Sequence, residues 1–204
     1  DKQILSNIFV VNELTWNELK KKNTATELKG LLKLKHPNII RVNKIFIQKY
    51  TDIKIYLEMP FYPCGNLREY LSKHKNITRY QKKKLLKQLI DTMVYVHSNN
   101  FVHNDLKPEN ILIDKDLQSD MLKIVLCDFG IAREQIGTMT LTLTSTIQGT
   151  SGYIAPEVEF DKKKPTFKSD IYSIGKILYE LFEQHEDLST YSSNEKRLLE
   201  DVLK

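Results

Sequence analysis

The sequence predicts an α+β fold in which a small β-rich half precedes a larger, mainly helical half. Short apolar runs typical of strands dominate before residue 60, and amphipathic helical patterns dominate after residue 65. The segment from Pro60 to Gly65 holds two prolines and a glycine, which is typical of a connector. With 204 residues, 41% of them hydrophobic, the chain has enough apolar side chains to fill a core.

The first half contains three strand-like runs and one helical run. The runs at 8–11, 39–47 and 53–59 are rich in β-branched and aromatic residues and predict strands. Leucines at helical spacing predict a helix over 24–34. This helix should end at His36, because the residue before a proline avoids the helical conformation.

The second half opens with two helices that have clear start signals. Asn66 is expected to cap a short helix that runs through Ser72. Thr78 and Gln81 have the spacing of a capping box and predict the start of a longer amphipathic helix. The apolar residues of that helix, all expected to face the core, are Leu85, Leu86, Leu89, Ile90, Met93 and Val94.

Two short strands and another helix follow. The apolar runs at 111–113 and 122–126 predict buried strands joined by a polar turn. Residues 170–184 predict a helix whose inward residues are Ile174, Ile177, Leu178 and Leu181.

Composition excludes several classes of protein. The seven glycines never fall at the G-x-G-x-x-G or G-x-x-x-x-G-K-[ST] spacing, which excludes dinucleotide-binding and P-loop sites. Cys64 and Cys127 lack C-x-x-C spacing, so neither a disulfide framework nor a zinc site is predicted. The apolar runs are too short for a membrane-spanning helix, and no membrane partner is expected.

The net charge is +5, spread over many lysines with acids between them. This pattern favours a solvated basic surface, and a nucleic-acid-binding module with its footprint at 82–87 is the less favoured alternative. No secretory signal opens the chain, and two cysteines fit a reducing compartment. An intracellular location, cytoplasmic or nuclear, is therefore expected. The first residue is Asp1 and not Met, which suggests a processed chain or an excised fragment.

Four motifs follow one another in the second half. H-N-D-L-K-P-E-N at 103–110 precedes one short strand, and C-D-F-G at 127–130 follows the other. G-T-S-G-Y-I-A-P-E at 149–157 comes next, and Asp170 and Gly175 lie in the following helical segment. This ordered set resembles the eukaryotic-type protein kinases.

The resemblance extends from about Ile4 to Glu180 and implies a bilobal protein-kinase-like fold. Residues 1–59 would form an incomplete N-terminal lobe holding the family's third strand, its C helix and its fourth and fifth strands. Residues 60–65 would be the hinge, and residues 66–204 a C-terminal lobe that is incomplete at its end.

The resemblance also implies a chemistry, since phosphoryl transfer needs positioning and charge neutralisation more than covalent catalysis. Asp105 would orient the substrate hydroxyl and accept its proton, and Lys107 would contact the γ-phosphate. Asn110 and Asp128 would hold Mg²⁺, a hard cation that prefers oxygen ligands. ATP and Mg²⁺ are thus the implied cofactors. Lys107 and Thr150 match kinases that act on protein Ser/Thr hydroxyls and not on tyrosine.

The same resemblance implies an adenine pocket at the hinge. Met59 falls at the gatekeeper position, and the carbonyl of Pro60 with the N–H and carbonyl of Tyr62 would contact the adenine edge. Leu112 would pack beneath the purine ring. Glu27 lies nine residues before His36, where kinases place the helix glutamate that binds the small-lobe lysine.

Some residues are implied to support the site from outside it. His103 and Phe129 would stack in a hydrophobic spine with Leu31 and Val42, so His103 is not assigned acid–base work. Asp170 would hold the backbone of the catalytic loop.

Two residues bear on substrates and regulation. Glu109 sits where some family members recognise a basic residue near the phosphorylation site, or it is an ordinary loop acid. The hydroxyl residues at 140–146 are either phosphorylation sites or part of an exposed polar loop.

The chain departs from the family pattern in its first half. Asn12 stands at the position of the small-lobe lysine, and an amide cannot neutralise phosphate charge. Asn104 replaces the arginine beside the catalytic aspartate, and the glycine-rich loop would precede Ile4. Two hypotheses therefore stay open: a Ser/Thr protein kinase, or a pseudokinase that acts as a nucleotide-binding allosteric or scaffolding module with a regulatory protein partner.

Overall fold

The fold is α+β, as the sequence predicts. The computed structural model describes residues 9–15, 32–49, 53–115, 121–129, 133–134 and 149–183. Before the connector these include the strands β1 (Phe9–Thr15), β2 (Lys44–Lys49) and β3 (Ile53–Pro60). After it come α1 (Leu67–Lys73), α2 (Arg79–Ser98), β4 (Phe101–Val102), β5 (Ile111–Lys115), β6 (Leu122–Leu126), β7 (Arg133–Glu134), α3 (Pro156–Glu159) and α4 (Phe167–Glu183).

The first three strands form an antiparallel sheet in the order β1-β3-β2. In β1, Phe9 pairs with Pro60 and Asn12 pairs with Leu57. Leu57 is fully buried, so the central strand anchors the sheet to the core. Because β3 ends at Pro60, the sheet leads directly into the connector.

The predicted strand at 39–47 is wrong at its start, since β2 begins at Lys44. Ile39 and Ile40 pair instead with β6: the Ile40 N–H donates to the Leu126 carbonyl at 2.8 Å, and the Leu126 N–H donates to the Asn38 carbonyl at 2.7 Å. Both isoleucines are 5% exposed. Burial of these side chains against the second half determines their pairing, which strand propensity alone does not reveal.

The helix start signals in the second half are confirmed. The Asn66 side chain accepts the Glu69 N–H at 2.9 Å and caps α1. At the start of α2, the Thr78 hydroxyl accepts the Gln81 N–H at 3.2 Å, and the Gln81 side chain accepts the Thr78 N–H at 2.9 Å. The capping box thus satisfies two backbone donors that the first helical turn leaves unpaired.

The predicted apolar face of α2 is partly wrong. Leu85, Leu89 and Met93 are buried, but Ile90 is 43% exposed and Val94 is 63% exposed. At about 100° per residue, the last two lie more than about 100° from the centre of the buried face. The buried face also includes Lys82, Thr92 and Val96.

The hairpin β5–β6 is hydrogen-bonded both to the connector, at Gly65, and to the first half of the chain, at residues 38–40. Ile111 pairs with Leu126 and Ile113 with Ile124, and all four are almost fully buried. The helix α4 begins three residues before the predicted start, and Ile177, Leu178 and Leu181 on it are buried as expected. Among the residues described, no helix combines the length and hydrophobicity needed to cross a membrane.

Candidate active site

The loop between β4 and β5 is anchored from below by Asp170. One oxygen of this fully buried carboxylate accepts the His103 N–H at 2.9 Å, and the other accepts the Asn104 N–H at 2.8 Å. The His97 ring nitrogen Nε2 lies 2.8 Å from the first of these oxygens. The predicted role of Asp170 as a backbone anchor is confirmed. The contacts hold Asn104 at a φ of 66°, a left-handed conformation that Asn tolerates better than most residues.

His103 is a structural residue of this loop. Its ring lies 4.8 Å from the ring of Phe129, as expected, and both side chains are fully buried. The neutral tautomer satisfies both nitrogens: Nε2–H donates to the Cys127 carbonyl at 3.2 Å, and Nδ1 accepts the Asp105 N–H at 3.3 Å. Burial lowers the pKa of His103, and the nearby carboxylate of Asp170 only partly opposes this. The imidazole is therefore held neutral.

Both carboxylate oxygens of Asp105 are held by neighbouring side chains. The Lys107 ammonium donates to Oδ2 at 2.9 Å, and the Thr150 hydroxyl donates to Oδ1 at 2.8 Å. The same Lys107 ammonium donates to the Thr150 hydroxyl oxygen at 2.7 Å, which closes a three-residue ring of contacts. The Asn110 amide nitrogen donates to Oδ2 at 3.0 Å. Asp105 is only 8% exposed, so its orientation is fixed.

The conformation at Gly149 brings Thr150 to this site. Gly149 has a φ of 126°, which L side chains rarely adopt. A Cβ there would lie 2.9 Å from the Ile154 side chain and 3.2 Å from the Asn104 carbonyl oxygen. The glycine therefore lets the segment after residue 148 approach the catalytic loop closely.

Asn110 and Asp128 carry side-chain oxygens of the kind that Mg²⁺ prefers. The Cys127 N–H donates to the Asn110 carbonyl at 3.0 Å, which places Asp128 beside Asn110. Because the Asn110 amide nitrogen points to Asp105, its Oδ1 is directed away from that contact. Asp128 is exposed and has a φ of 59°. Mg²⁺ commonly uses one or two protein ligands together with phosphate oxygens, and this pair meets that requirement.

The predicted adenine-binding residues lie along the connector and on the strand beneath it. Met59 and Pro60 end β3, and both are half-buried. Tyr62 is half-buried too, and burial raises the pKa of its hydroxyl. The Tyr62 carbonyl accepts the Gly65 N–H at 3.1 Å, and the Gly65 carbonyl accepts the Ile113 N–H at 2.9 Å. These bonds tie the connector to β5.

Leu112, the fourth predicted pocket residue, lies in β5 and is half-buried. It bridges to Asn66, which follows the connector directly. This contact holds β5 against the C-terminal end of the connector. Leu112 therefore lies beside the connector at which the other three predicted pocket residues lie.

The first-half residues are only partly described. Asn12 lies in β1 opposite Leu57. Glu27 and Leu31, like the hydroxyl residues at 140–146, lie outside the described residues. Val42 is half-buried and packs against the core cluster that contains Phe129.

Comparison with known families identifies this architecture. Residues 6–203 match the model of the protein kinase domain. The chain belongs to the eukaryotic-type protein kinase family.

Curated kinases are similar to this kinase domain over most of its length. It is 37% identical to "Calcium-dependent protein kinase 6" of Plasmodium berghei, over 85% of this chain and 11% of that protein. It is also 37% identical to "Serine/threonine-protein kinase cds1" of Schizosaccharomyces pombe, over 75% of this chain and 32% of that protein. "Serine/threonine-protein kinase TIO" of Arabidopsis thaliana is 38% identical, over 76% of this chain and 11% of that protein. The chain thus spans a third or less of the length of these relatives.

Sequence reasoning missed one cluster in this kinase domain. Arg68 on α1 contacts Glu109 of the catalytic loop, Glu180 on α4 and the Tyr153 hydroxyl. The partners are 41, 112 and 85 residues away along the chain. No local spacing rule relates such distant residues, and the opposite charges of Arg68 and the two glutamates are the only sequence signal. It also missed the contacts of Thr150 with Asp105 and Lys107.

Proposed function

We propose that this kinase domain transfers the γ-phosphoryl group of ATP to Ser or Thr hydroxyls of proteins. The arrangement around Asp105 carries the proposal: a fixed, nearly buried carboxylate with Lys107 and Thr150 on its two oxygens. A carboxylate held in this way can orient an acceptor hydroxyl and take its proton. Lys107 is 19% exposed, so its ammonium can reach a phosphate from beside that carboxylate.

Asn110 and Asp128 would hold Mg²⁺, which supplies the charge that offsets the phosphate oxygens when it is bound with ATP. Met59, Pro60, Tyr62 and Leu112 are the candidates for the adenine pocket. The half-buried side chains there give a base partial shelter from water, and the connector presents backbone groups for its polar edge.

Two observations support Ser or Thr as the acceptor. The contact of Lys107 with the Thr150 hydroxyl joins the two positions that match this class in the sequence. Two of the three relatives named above are described as serine/threonine-protein kinases.

The alternative of a pseudokinase is not favoured. Its main support is Asn12, which cannot provide the cation that usually contacts the α- and β-phosphates. The residues expected to carry out catalysis are nevertheless all present, and the curated relatives named above carry kinase names. Loss of one phosphate contact predicts a slower reaction, by about 10²–10³-fold, and not the loss of the activity.

The test compares the chain with its Asp105→Asn variant. Purified protein is incubated with Mg²⁺ and γ-labelled ATP, and with three peptides that differ only in carrying Ser, Thr or Tyr as the acceptor. We expect transfer to Ser and Thr but not to Tyr, reduced by about 10²–10⁴-fold in the variant. ATP binding, measured by calorimetry, should be similar in both proteins. Binding without transfer would reject the proposal and restore the pseudokinase hypothesis.

Location and regulation are part of the same proposal. The proposed kinase acts on protein substrates in the cytoplasm or nucleus and has a regulatory protein partner. The location fits two cysteines that form no disulfide among the described residues. Cell fractionation of the tagged full-length protein tests the location. Recovery in the secretory pathway would reject it.

A further inference from the structure

The cluster around Arg68 joins the helices α1 and α4, the catalytic loop and the segment that carries Tyr153. The guanidinium contacts one oxygen of Glu109 through Nε and contacts Glu180 through Nη1. Its Nη2 donates to the Tyr153 hydroxyl oxygen at 2.6 Å and to the second Glu180 oxygen at 3.4 Å. The Tyr153 hydroxyl in turn donates to Glu180. All three nitrogens of the guanidinium are thus engaged within the chain.

The cluster lies next to the site of phosphoryl transfer. Glu109 immediately precedes Asn110, and Tyr153 comes three residues after Thr150, whose hydroxyl contacts Asp105. The Arg68 side chain is 42% exposed and the Glu109 side chain is 40% exposed. A peptide whose hydroxyl reaches Asp105 therefore passes near a surface to which these two side chains contribute.

The charges of the cluster define what this surface offers to a peptide. Two carboxylates and one guanidinium leave a formal charge of −1, whereas the carboxylates alone would carry −2. Partial burial by itself would raise the pKa of Glu109, but the Arg68 hydrogen bond, a backbone hydrogen bond and the charges of Arg68 and Lys107 together outweigh burial, so the net pKa is lowered. Glu109 is therefore ionised and already paired.

Burial raises the pKa of Tyr153 to about 12, with the Glu180 hydrogen bond adding to this effect. The Tyr153 hydroxyl thus stays protonated at neutral pH and bridges Arg68 and Glu180 without carrying a charge. The two carboxylates and this hydroxyl together form a receptor whose shape and charge suit a guanidinium.

We propose that Arg68 is a specificity-determining residue: it fills an acidic receptor that would otherwise select an arginine from the peptide substrate. The inference rests on the proposed function, whose acceptor site it extends. Since a guanidinium of the chain itself occupies both glutamates, an arginine in the peptide has no vacant pair of carboxylates to bind. The unmodified kinase should therefore be indifferent to basic residues near the acceptor, and removal of Arg68 should create a preference for them.

The experiment uses a peptide set in which one arginine is moved through each position around the acceptor, with alanine at that position as the reference. Kinetics are measured for the unmodified protein and for Arg68→Ala and Arg68→Lys. We expect the unmodified protein to show KM values that differ by less than about 2-fold between arginine and alanine peptides. In Arg68→Ala, one arginine position should lower KM by about 5- to 10-fold with kcat little changed, as a partly exposed charge-assisted contact would do. Arg68→Lys keeps the positive charge and should behave like the unmodified protein.

A second variant separates this effect from general loosening of the structure. Glu109→Gln in the Arg68→Ala background removes half of the receptor and should abolish the new preference, while its melting temperature should stay close to that of Arg68→Ala. An arginine preference already present in the unmodified protein and unchanged in Arg68→Ala would overturn the proposal. So would an Arg68→Ala variant that folds but shows no preference.

Peptide binding keeps the test independent of catalysis. Fluorescence anisotropy with the same labelled peptides measures affinity without phosphoryl transfer, and the arginine effect in Arg68→Ala should weaken as salt is added. If transfer is absent but this pattern of affinities appears, the proposed function fails and the role of Arg68 stands. If transfer occurs without this pattern of affinities, the proposed function stands and the role of Arg68 fails.

Discussion

Replacement of Thr150 by valine removes one hydroxyl from the contacts among Asp105, Lys107 and Thr150 and keeps the shape of the side chain. The Thr150 hydroxyl donates to Asp105 Oδ1 at 2.8 Å and accepts from the Lys107 ammonium at 2.7 Å. Thr150→Val therefore leaves one carboxylate oxygen without its donor in a residue that is 8% exposed. A hydrogen bond to a charged group contributes about 1.5–3 kcal/mol, which corresponds to roughly a 10- to 150-fold loss of kcat.

The assay is steady-state phosphorylation of a Ser peptide at saturating Mg·ATP, with Thr150→Ser as the matched control. Serine keeps the hydroxyl, so its kcat should lie within about 3-fold of the unmodified protein. The KM for ATP should change little in both variants, because Thr150 is not among the residues proposed to hold the adenine or Mg²⁺. Unfolding curves establish that both variants fold. A Thr150→Val kcat within about 3-fold of the unmodified value would refute the reasoning, since Asp105 would then be oriented by its other contacts alone.

Two further predictions concern stability. Gly149→Ala should lower the free energy of unfolding by about 1–3 kcal/mol through backbone strain, and by a further amount through the clash with Ile154. Gly152→Ala is the control, because Gly152 has a φ of 90° but open space around it, so this variant should show the strain alone. Equal losses of unfolding free energy in urea denaturation would contradict the steric argument. His103 has a folded pKa below its ordinary value of 6.5, mainly through burial, so the unfolded chain takes up a proton as the pH falls through about 6.5 while the folded chain does not. Stability should therefore be complete above that pH and decline below it, and His103→Phe should lack this part of the decline; parallel curves of unfolding free energy from neutral to acidic pH would exclude the role of His103.

Short sequence patterns predicted the structural features that depend on residues close together along the chain. The Asn66 cap and the Thr78–Gln81 capping box involve residues three apart, and both form as expected. The ordered motifs likewise predicted that Asp105 and Asn110 would share one loop, because their separation along the chain is short. The sequence can specify these features because backbone geometry fixes the distances within a turn.

Features set by distant contacts escaped prediction. The apolar side chains of Ile90 and Val94 gave no indication that these two positions of α2 would be exposed. The pairing of Ile39 with Leu126 depends on how two halves of the chain meet, and strand propensity carries no such information. The three partners of Arg68 lie in separate segments of the chain, so the charges in the sequence could not show which residues Arg68 contacts.

The contacts that hold the catalytic loop bear on how it can do without the family arginine that Asn104 replaces. Asn104 takes its place at a φ of 66°, where Asn is strained less than most residues, and its backbone is held by the Asp170 carboxylate at 2.8 Å. Its amide nitrogen is buried and has no hydrogen-bond partner among the residues described. An amide cannot form the charge-assisted contact by which an arginine binds a phosphorylated residue. Asp170 and the Lys107–Thr150 contact fix the loop without the Asn104 side chain, so we expect the geometry at Asp105 not to depend on a phosphate contact at position 104.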